Sequence, residues 1–178
     1  YPGGLCKAVT LSYDDGAPAD VQLCDTINRY GIKCTFNLMA SRVESENGLT
    51  KEYIRSEILG KGHELATHGE NHRGLDAARS IEGIQDVLNC RLYFEKEFGG
   101  IIRGMAFPDR TVNKKLFPIA YERIKSFLQE LDIAYARTTG GDNDSFELPD
   151  DFHNWVPTAH HVNPKIMDYI DKFLNMNV

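Results

Sequence analysis

No run of about 18 apolar residues occurs anywhere in this chain, so no helix-forming stretch is long enough to cross a membrane, and no membrane partner is expected. A basic surplus is missing too. Twenty Lys and Arg stand against 26 Asp and Glu, a net charge of -6, which leaves no basic stripe to neutralise phosphates and argues against nucleic acid as a partner. The four cysteines, Cys6, Cys24, Cys34 and Cys90, are scattered without a Cys-x-x-Cys pair. That spacing speaks against a disulfide framework; Cys6, Cys24 and Cys34 fall in apolar segments, where reduced thiols act as small hydrophobes and point to the cytoplasm. Internal repeats, low-complexity stretches and a signal-peptide pattern are likewise absent. Because the chain starts at Tyr1 and not at Met, some upstream sequence is expected to have been removed.

What is present is ordinary globular material. With 178 residues, 42% hydrophobic and 26% charged, the chain fits one domain, residues 1–178, with a sizeable core. Its pattern alternates. An apolar, β-branched run from Ala8 to Leu11 reads as a buried strand ending at Asp14-Asp15-Gly16. Pro18 opens a helix to Tyr30 with Gly31 as its stop. Ile32 to Leu38 is strand-like, and Thr50 caps a helix to Leu59. His63 to Thr67 is a short strand leading into His68-Gly69-Glu70-Asn71-His72. Ser80 starts a helix with Ile81, Ile84, Leu88 and Leu92 in one stripe, ending at Gly99-Gly100. Ile101 to Phe107 is a strand stopped by Pro108. A helix then runs to Leu131, with Ala120, Ile124, Phe127, Leu128 and Leu131 on one side. Asp132 to Thr138 forms another strand, and residues 140–151 a polar loop. Phe152 to Val162 carries Trp155, His160 and His161. Pro164 begins a last helix, apolar at Ile166, Tyr169, Ile170 and Phe173.

Alternating strands and helices predict an α/β architecture with a parallel sheet or barrel. Such folds carry their chemistry beyond the C-terminal ends of the strands. Asp14-Asp15, His68–His72, the segment after Phe107 and the segment after Thr138 all fall at such ends. Four polar clusters on one rim are hard to explain as four independent turns.

Two adjacent carboxylates repel unless a cation or proton sits between them, which makes Asp14-Asp15 a candidate for metal binding plus general-base work. Asp-Gly is also the default turn, and alone the pair reads first as that. His68 and His72, spaced i, i+4, present two imidazoles on one face of a helical turn; alone they fit surface residues equally well. Together with Asp15 they offer two nitrogens and one carboxylate, an open catalytic set for a divalent cation.

These residues resemble the polysaccharide deacetylases, the NodB-homology superfamily (carbohydrate esterase family four). Leu-Ser-Tyr-Asp-Asp-Gly at 11–16 is similar to that family's first motif. His68-Gly69-Glu70-Asn71-His72 resembles its His-Ser/Thr-x-x-His motif, with Gly69 in the hydroxyl position. Arg103-Gly104-Met105-Ala106-Phe107-Pro108 looks like its arginine motif, and Asp151-Phe152-His153-Asn154-Trp155 like its Asp-x-x-Asp-Trp motif with Asn154 at the second Asp. The resemblance implies a deformed (β/α) barrel and one divalent metal, usually zinc and sometimes cobalt or nickel. It makes Asp15, His68 and His72 the metal ligands, Asp14 the base that activates a metal-bound water, and Arg103 the arginine that orients the base. Tyr13, Pro108 and Trp155 are expected against the substrate, an N- or O-acetylated carbohydrate; some branches instead cleave cyclic imides or small amides. A non-catalytic, metal-stabilised descendant is the reading from another class.

The chain departs from the family pattern at three places. Pro108-Asp109-Arg110 stands where Pro-Tyr-Gly is usual. Gly69 lacks the hydroxyl that steadies the second-motif loop. No histidine follows Pro164 where the catalytic acid is expected, so the barrel is expected to be incomplete at its C-terminus, with an open edge suited to self-association. His160 or His161 could replace that acid, or only close a strand end.

Overall fold

The structure, a computed structural model, describes residues 2–75, 79–109, 112, 114–115, 117–141 and 145–177. Five strands form one sheet: β1 (Leu11–Asp15), β2 (Cys34–Leu38), β3 (Glu64–Thr67), β4 (Gly104–Ala106) and β5 (Tyr135–Arg137). They lie in sequence order, each parallel to the next, and helices fill the crossovers. The helices are α1 (Ala19–Arg29), α2 (Lys51–Tyr53, running into a π-helical turn Ile54–Leu59), α3 (Ser80–Phe98), α4 (Pro118–Glu130) and α5 (Ile166–Asn175). Thr50 caps α2 by accepting a hydrogen bond from the Tyr53 N–H at 3.1 Å.

Laid flat, β1 and β5 would be separated by four inter-strand steps, about 19 Å, farther than an arginine side chain extends. Yet the Arg137 guanidinium on β5 donates to Ser12 Oγ on β1 at 3.0 Å and also pairs with Asp14. The sheet therefore curls into the arc of a (β/α) barrel, as the alternating pattern predicts. Beyond β5 the arc continues for one residue, where Trp155 bridges Arg137 in parallel register. Its N–H donates to the Ala136 carbonyl at 3.1 Å, and its own carbonyl accepts from the Thr138 N–H at 2.9 Å.

Strand neighbours point to opposite faces, and here the faces differ in chemistry. The outer face buries Cys34, Phe36, Leu38, Leu65 and Met105 against the helices, which contribute Cys24, Ile27, Ile54, Ile58, Phe94, Ile124 and Leu128. The inner face is polar. Across it Asn37 donates to Ser12 and Asp14, while Thr35 and Tyr135 both donate to Glu64.

Several expectations move. β1 starts at Leu11, so both carboxylates belong to the strand itself, while Ala8, Val9 and Thr10 are exposed. Cys6 is exposed; Cys24, Cys34 and Cys90 are buried, and all four are free thiols. On α3 the inward stripe is Gly83, Val87, Cys90 and Phe94, and Ile81 and Leu92 face solvent. The reason is tertiary: α3 turns Asp86 inward to hold the loop after β3. The proposed capping side chain of Ser80 and the position of Arg110 lie outside the described residues.

Candidate active site

The site lies at the C-terminal ends of β1, β3, β4 and β5. Asp14 and Asp15 end β1, His68 follows β3, and Asp109 lies three residues beyond β4. The backbone there is strained. Asp15, His72 and Asp109 have φ values of 81°, 57° and 60°, in the left-handed region that costs a side-chain-bearing residue energy. Three such residues converging on one spot show that the fold holds them there at a cost.

Asp15 and the two histidines come together. The His68 and His72 Nε2 atoms lie 3.5 and 3.7 Å from Asp15 Oδ1, and one ligand atom from each residue falls within 4.8 Å of the others. The second nitrogens are also engaged. His68 Nδ1 donates to the Ala106 carbonyl at 2.9 Å, which fixes the tautomer and leaves the Nε2 lone pair facing Asp15. His72 Nδ1 faces Asp109 Oδ1 at 3.7 Å. Burial pushes the His68 imidazole below its ordinary pKa, towards the neutral form a ligand requires. These residues therefore fit a divalent cation by donor type, geometry and ring orientation. Arg42, on a short turn after β2, approaches Asp15 at 3.7 Å.

Asp14 belongs to a different set of partners. It faces the barrel interior, accepts from Asn37 Nδ2 at 3.0 Å and forms a two-oxygen contact with the Arg137 guanidinium. Neighbours in sequence thus receive separate environments: Asp15 turns to imidazoles, Asp14 to an arginine and an amide.

The remaining expected residues are placed as follows. Arg103 is exposed and precedes β4, at the opposite end of the strands from Asp14. The arginine on Asp14 is Arg137, because a residue at the end of a parallel strand reaches the rim and one before its start does not. Tyr13 packs against the outer apolar core, since its strand neighbour Asp14 occupies the inner face. Its ring stacks on His161 at 5.4 Å, and burial raises the Tyr13 pKa. His160 and His161 are exposed, with ring centroids 4.4 Å apart. Pro108 is buried behind the loop at Gly69. Trp155 is half-buried, with its ring edge-on to Tyr135 and Phe152.

Asp151 sits outside the site. Burial would raise its pKa, but hydrogen bonds from Lys125, Tyr121 and Lys114, at 2.9, 2.8 and 3.0 Å, hold it well below the usual carboxylate range. It anchors the turn Phe152–Asn154, as does buried His153, which donates from Nε2 to the Ile133 carbonyl at 2.8 Å.

Residue reading missed Arg137, Asn37, Ser12, Arg42 and Asp86. A signal existed for some of them. Ser12 with Asp14, and Tyr135 with Arg137, are polar i, i+2 pairs inside parallel strands, which mark a polar face.

Comparison with known proteins is consistent with this geometry. The sequence profile of the family described as Polysaccharide deacetylase matches residues 3–131. Peptidoglycan-N-acetylglucosamine deacetylase PgdA of Listeria monocytogenes is 27% identical over 112 residues, 62% of this chain and 23% of that protein. Among solved structures, IcaB from Ammonifex degensii superposes with a TM-score of 0.73 at 15% identity, covering 94% of this chain and 73% of that one. A family 4 acetyl xylan esterase from Clostridium thermocellum, in complex with a cobalt ion, gives 0.53 at 19% identity, covering 79% and 61%. The chain thus spans about a quarter of the curated relative it matches, and these structural likenesses speak to the fold.

Proposed function

Because the chain belongs to the polysaccharide deacetylase family, we propose that it hydrolyses acetyl groups from an acetylated carbohydrate, with Asp14 as general base beside a divalent cation held by Asp15, His68 and His72. The carrying observation is the division of labour between the two carboxylates. Asp15 sits within reach of both imidazoles, and Asp14 is engaged by Arg137 and Asn37.

When bound, the cation supplies a Lewis acid that polarises a carbonyl and makes a water acidic at neutral pH. Arg137 holds and aims the Asp14 carboxylate, so that it can take a proton from a water lying between it and the ligand trio. Asn37 fixes the same carboxylate from the β2 side. Trp155 borders the interior beside Arg137 and offers apolar surface to an acetyl methyl. His160 and His161 are the candidates for the proton needed by the departing amine or alcohol, and an assignment to His161 requires its ring to leave Tyr13, on which it stacks across β1 from Asp14.

PgdA's name specifies N-acetylglucosamine in peptidoglycan, so N-acetylglucosamine oligomers are the first substrates to test. With zinc or cobalt present, acetate release from these oligomers should exceed ring opening of cyclic imides and hydrolysis of small amides, each followed by its own product. Preference for the amides, or no acetate from any glycan, would overturn the substrate class. Single alanine variants of His160 and His161 identify the donor: the right one removes the alkaline limb of the kcat profile, and an unchanged limb in both would refute the assignment.

A further inference from the structure

The loop that carries His72 has an unusual support. Gly69 has φ +80°, and a Cβ built there would lie 2.4 Å from Asp86 Oδ2. The volume a side chain at 69 would fill is thus occupied by a carboxylate from α3. Asp86 is only 4% exposed. It accepts from the Asn71 backbone N–H at 3.0 and 3.2 Å and from Asn71 Nδ2 at 3.1 Å. Its own carbonyl accepts from the Glu70 N–H at 3.0 Å. One turn along α3, Asn89 Nδ2 donates to Glu70 Oε2 at 2.8 Å. On the other side of the loop, Thr67 Oγ1 accepts from the Gly69 N–H at 3.1 Å, and the Ser41 N–H donates to the Glu70 carbonyl at 3.0 Å.

Burying a carboxylate costs several kcal/mol unless hydrogen bonds repay it, so a core helix keeps one only where its geometry is used. Here the bonded residue, Asn71, directly precedes His72, whose φ of 57° is held against its preference. We infer that Asp86 is a positioning residue for the metal ligands: by gripping Asn71 it holds His72 in the left-handed conformation that aims Nε2 at Asp15. Because the Asp86 carboxylate takes the space a Cβ at 69 would fill, the position has to be glycine. Outer groups that orient ligands set metal affinity, and losing one costs about 10- to 100-fold. The inference rests on the proposed metal site.

The test is zinc affinity, measured by chelator competition on the whole chain well below its melting temperature. Wild-type protein should bind one zinc, lost in Asp15→Ala; failure of that control refutes the metal reading itself. Asp86→Ala should raise the zinc Kd tenfold or more. Asp86→Asn, which keeps an acceptor for the Asn71 N–H, should stay within about threefold of wild type. Val87→Ala, a buried neighbour on α3, should lower the melting temperature with zinc Kd unchanged. Should Asp86→Ala not fold, Asn71→Ala carries the test, because that side chain is exposed and its loss should still weaken zinc about threefold or more. Unchanged Kd in Asp86→Ala or, should that not fold, in Asn71→Ala, or an equal rise in Val87→Ala, overturns the role of Asp86 while leaving the metal site intact.

Discussion

The two faces of one curled sheet are built by opposite rules. On the outer face, residues such as Phe36, Leu38 and Met105 disappear against the helices, and what matters is volume. On the inner face, Ser12, Asp14, Asn37 and Arg137 form one hydrogen-bonded group and Thr35, Glu64 and Tyr135 another, and what matters is charge and direction. Residues adjacent in sequence therefore answer to different physics: Tyr13 packs against the apolar core, and Asp14 joins the polar inner face. Damage to one face should unfold the chain. Damage to the other should silence it while leaving it folded.

The largest contrast is between Phe36→Ala and Asp14→Asn. Truncating a fully buried phenylalanine leaves a cavity and should cost about 3–5 kcal/mol of stability, read as the midpoint of urea unfolding. Asp14→Asn should slow acetate release by about 10²–10⁴-fold with little change in that midpoint. Equal loss of stability in both variants would erase the distinction between the faces.

Next comes a comparison of two arginines. Arg137→Ala leaves the Asp14 carboxylate without its cationic partner and should lower kcat by roughly 10²-fold. Arg103→Ala, at the far end of the strands, should leave kcat near wild type. The reverse ranking would restore Arg103 as the base-orienting residue.

The smallest effect concerns Asp20, at the start of α1 close to the Asp pair. Burial, with repulsion from Asp15 and Asp14 adding to it, pushes its carboxyl pKa up to about 6. Because the folded value exceeds the unfolded one, the native state binds the extra proton. The associated stability is full below about pH 4 and is lost as pH rises through about 6. Asp20→Asn keeps an acceptor for the Ala17 N–H and should therefore stabilise the protein by up to about 3 kcal/mol at pH 7.5 and by far less at pH 4. A gain of the same size at both pH values would contradict the burial account.

Much of this was legible in the residues. The strand–helix alternation and the rim position of the polar clusters follow from spacing and residue type, because these are local properties, while the Asp15, His68, His72 trio was legible through two motifs that resemble a known family's. What escaped depends on tertiary placement. Arg137 reaches Asp14 only because the sheet curls, and no local pattern reports curl. Asp86 broke the apolar stripe expected of α3, since one buried polar contact outweighed the helical period. The boundary of β1 shifted for a related reason: Asp is a poor strand former, yet Asp14 and Asp15 stay in the ladder opposite Asn37 and Leu38, where side-chain partners compensate.

The central claim is that adjacent carboxylates do different work, and metal content measured alongside turnover tests it most directly. Asp14→Asn should retain one zinc per chain while acetate release from N-acetylglucosamine oligomers falls to near background, and Asp15→Asn should lose zinc and turnover together. Loss of zinc in Asp14→Asn, or full turnover without it, would contradict the division of roles.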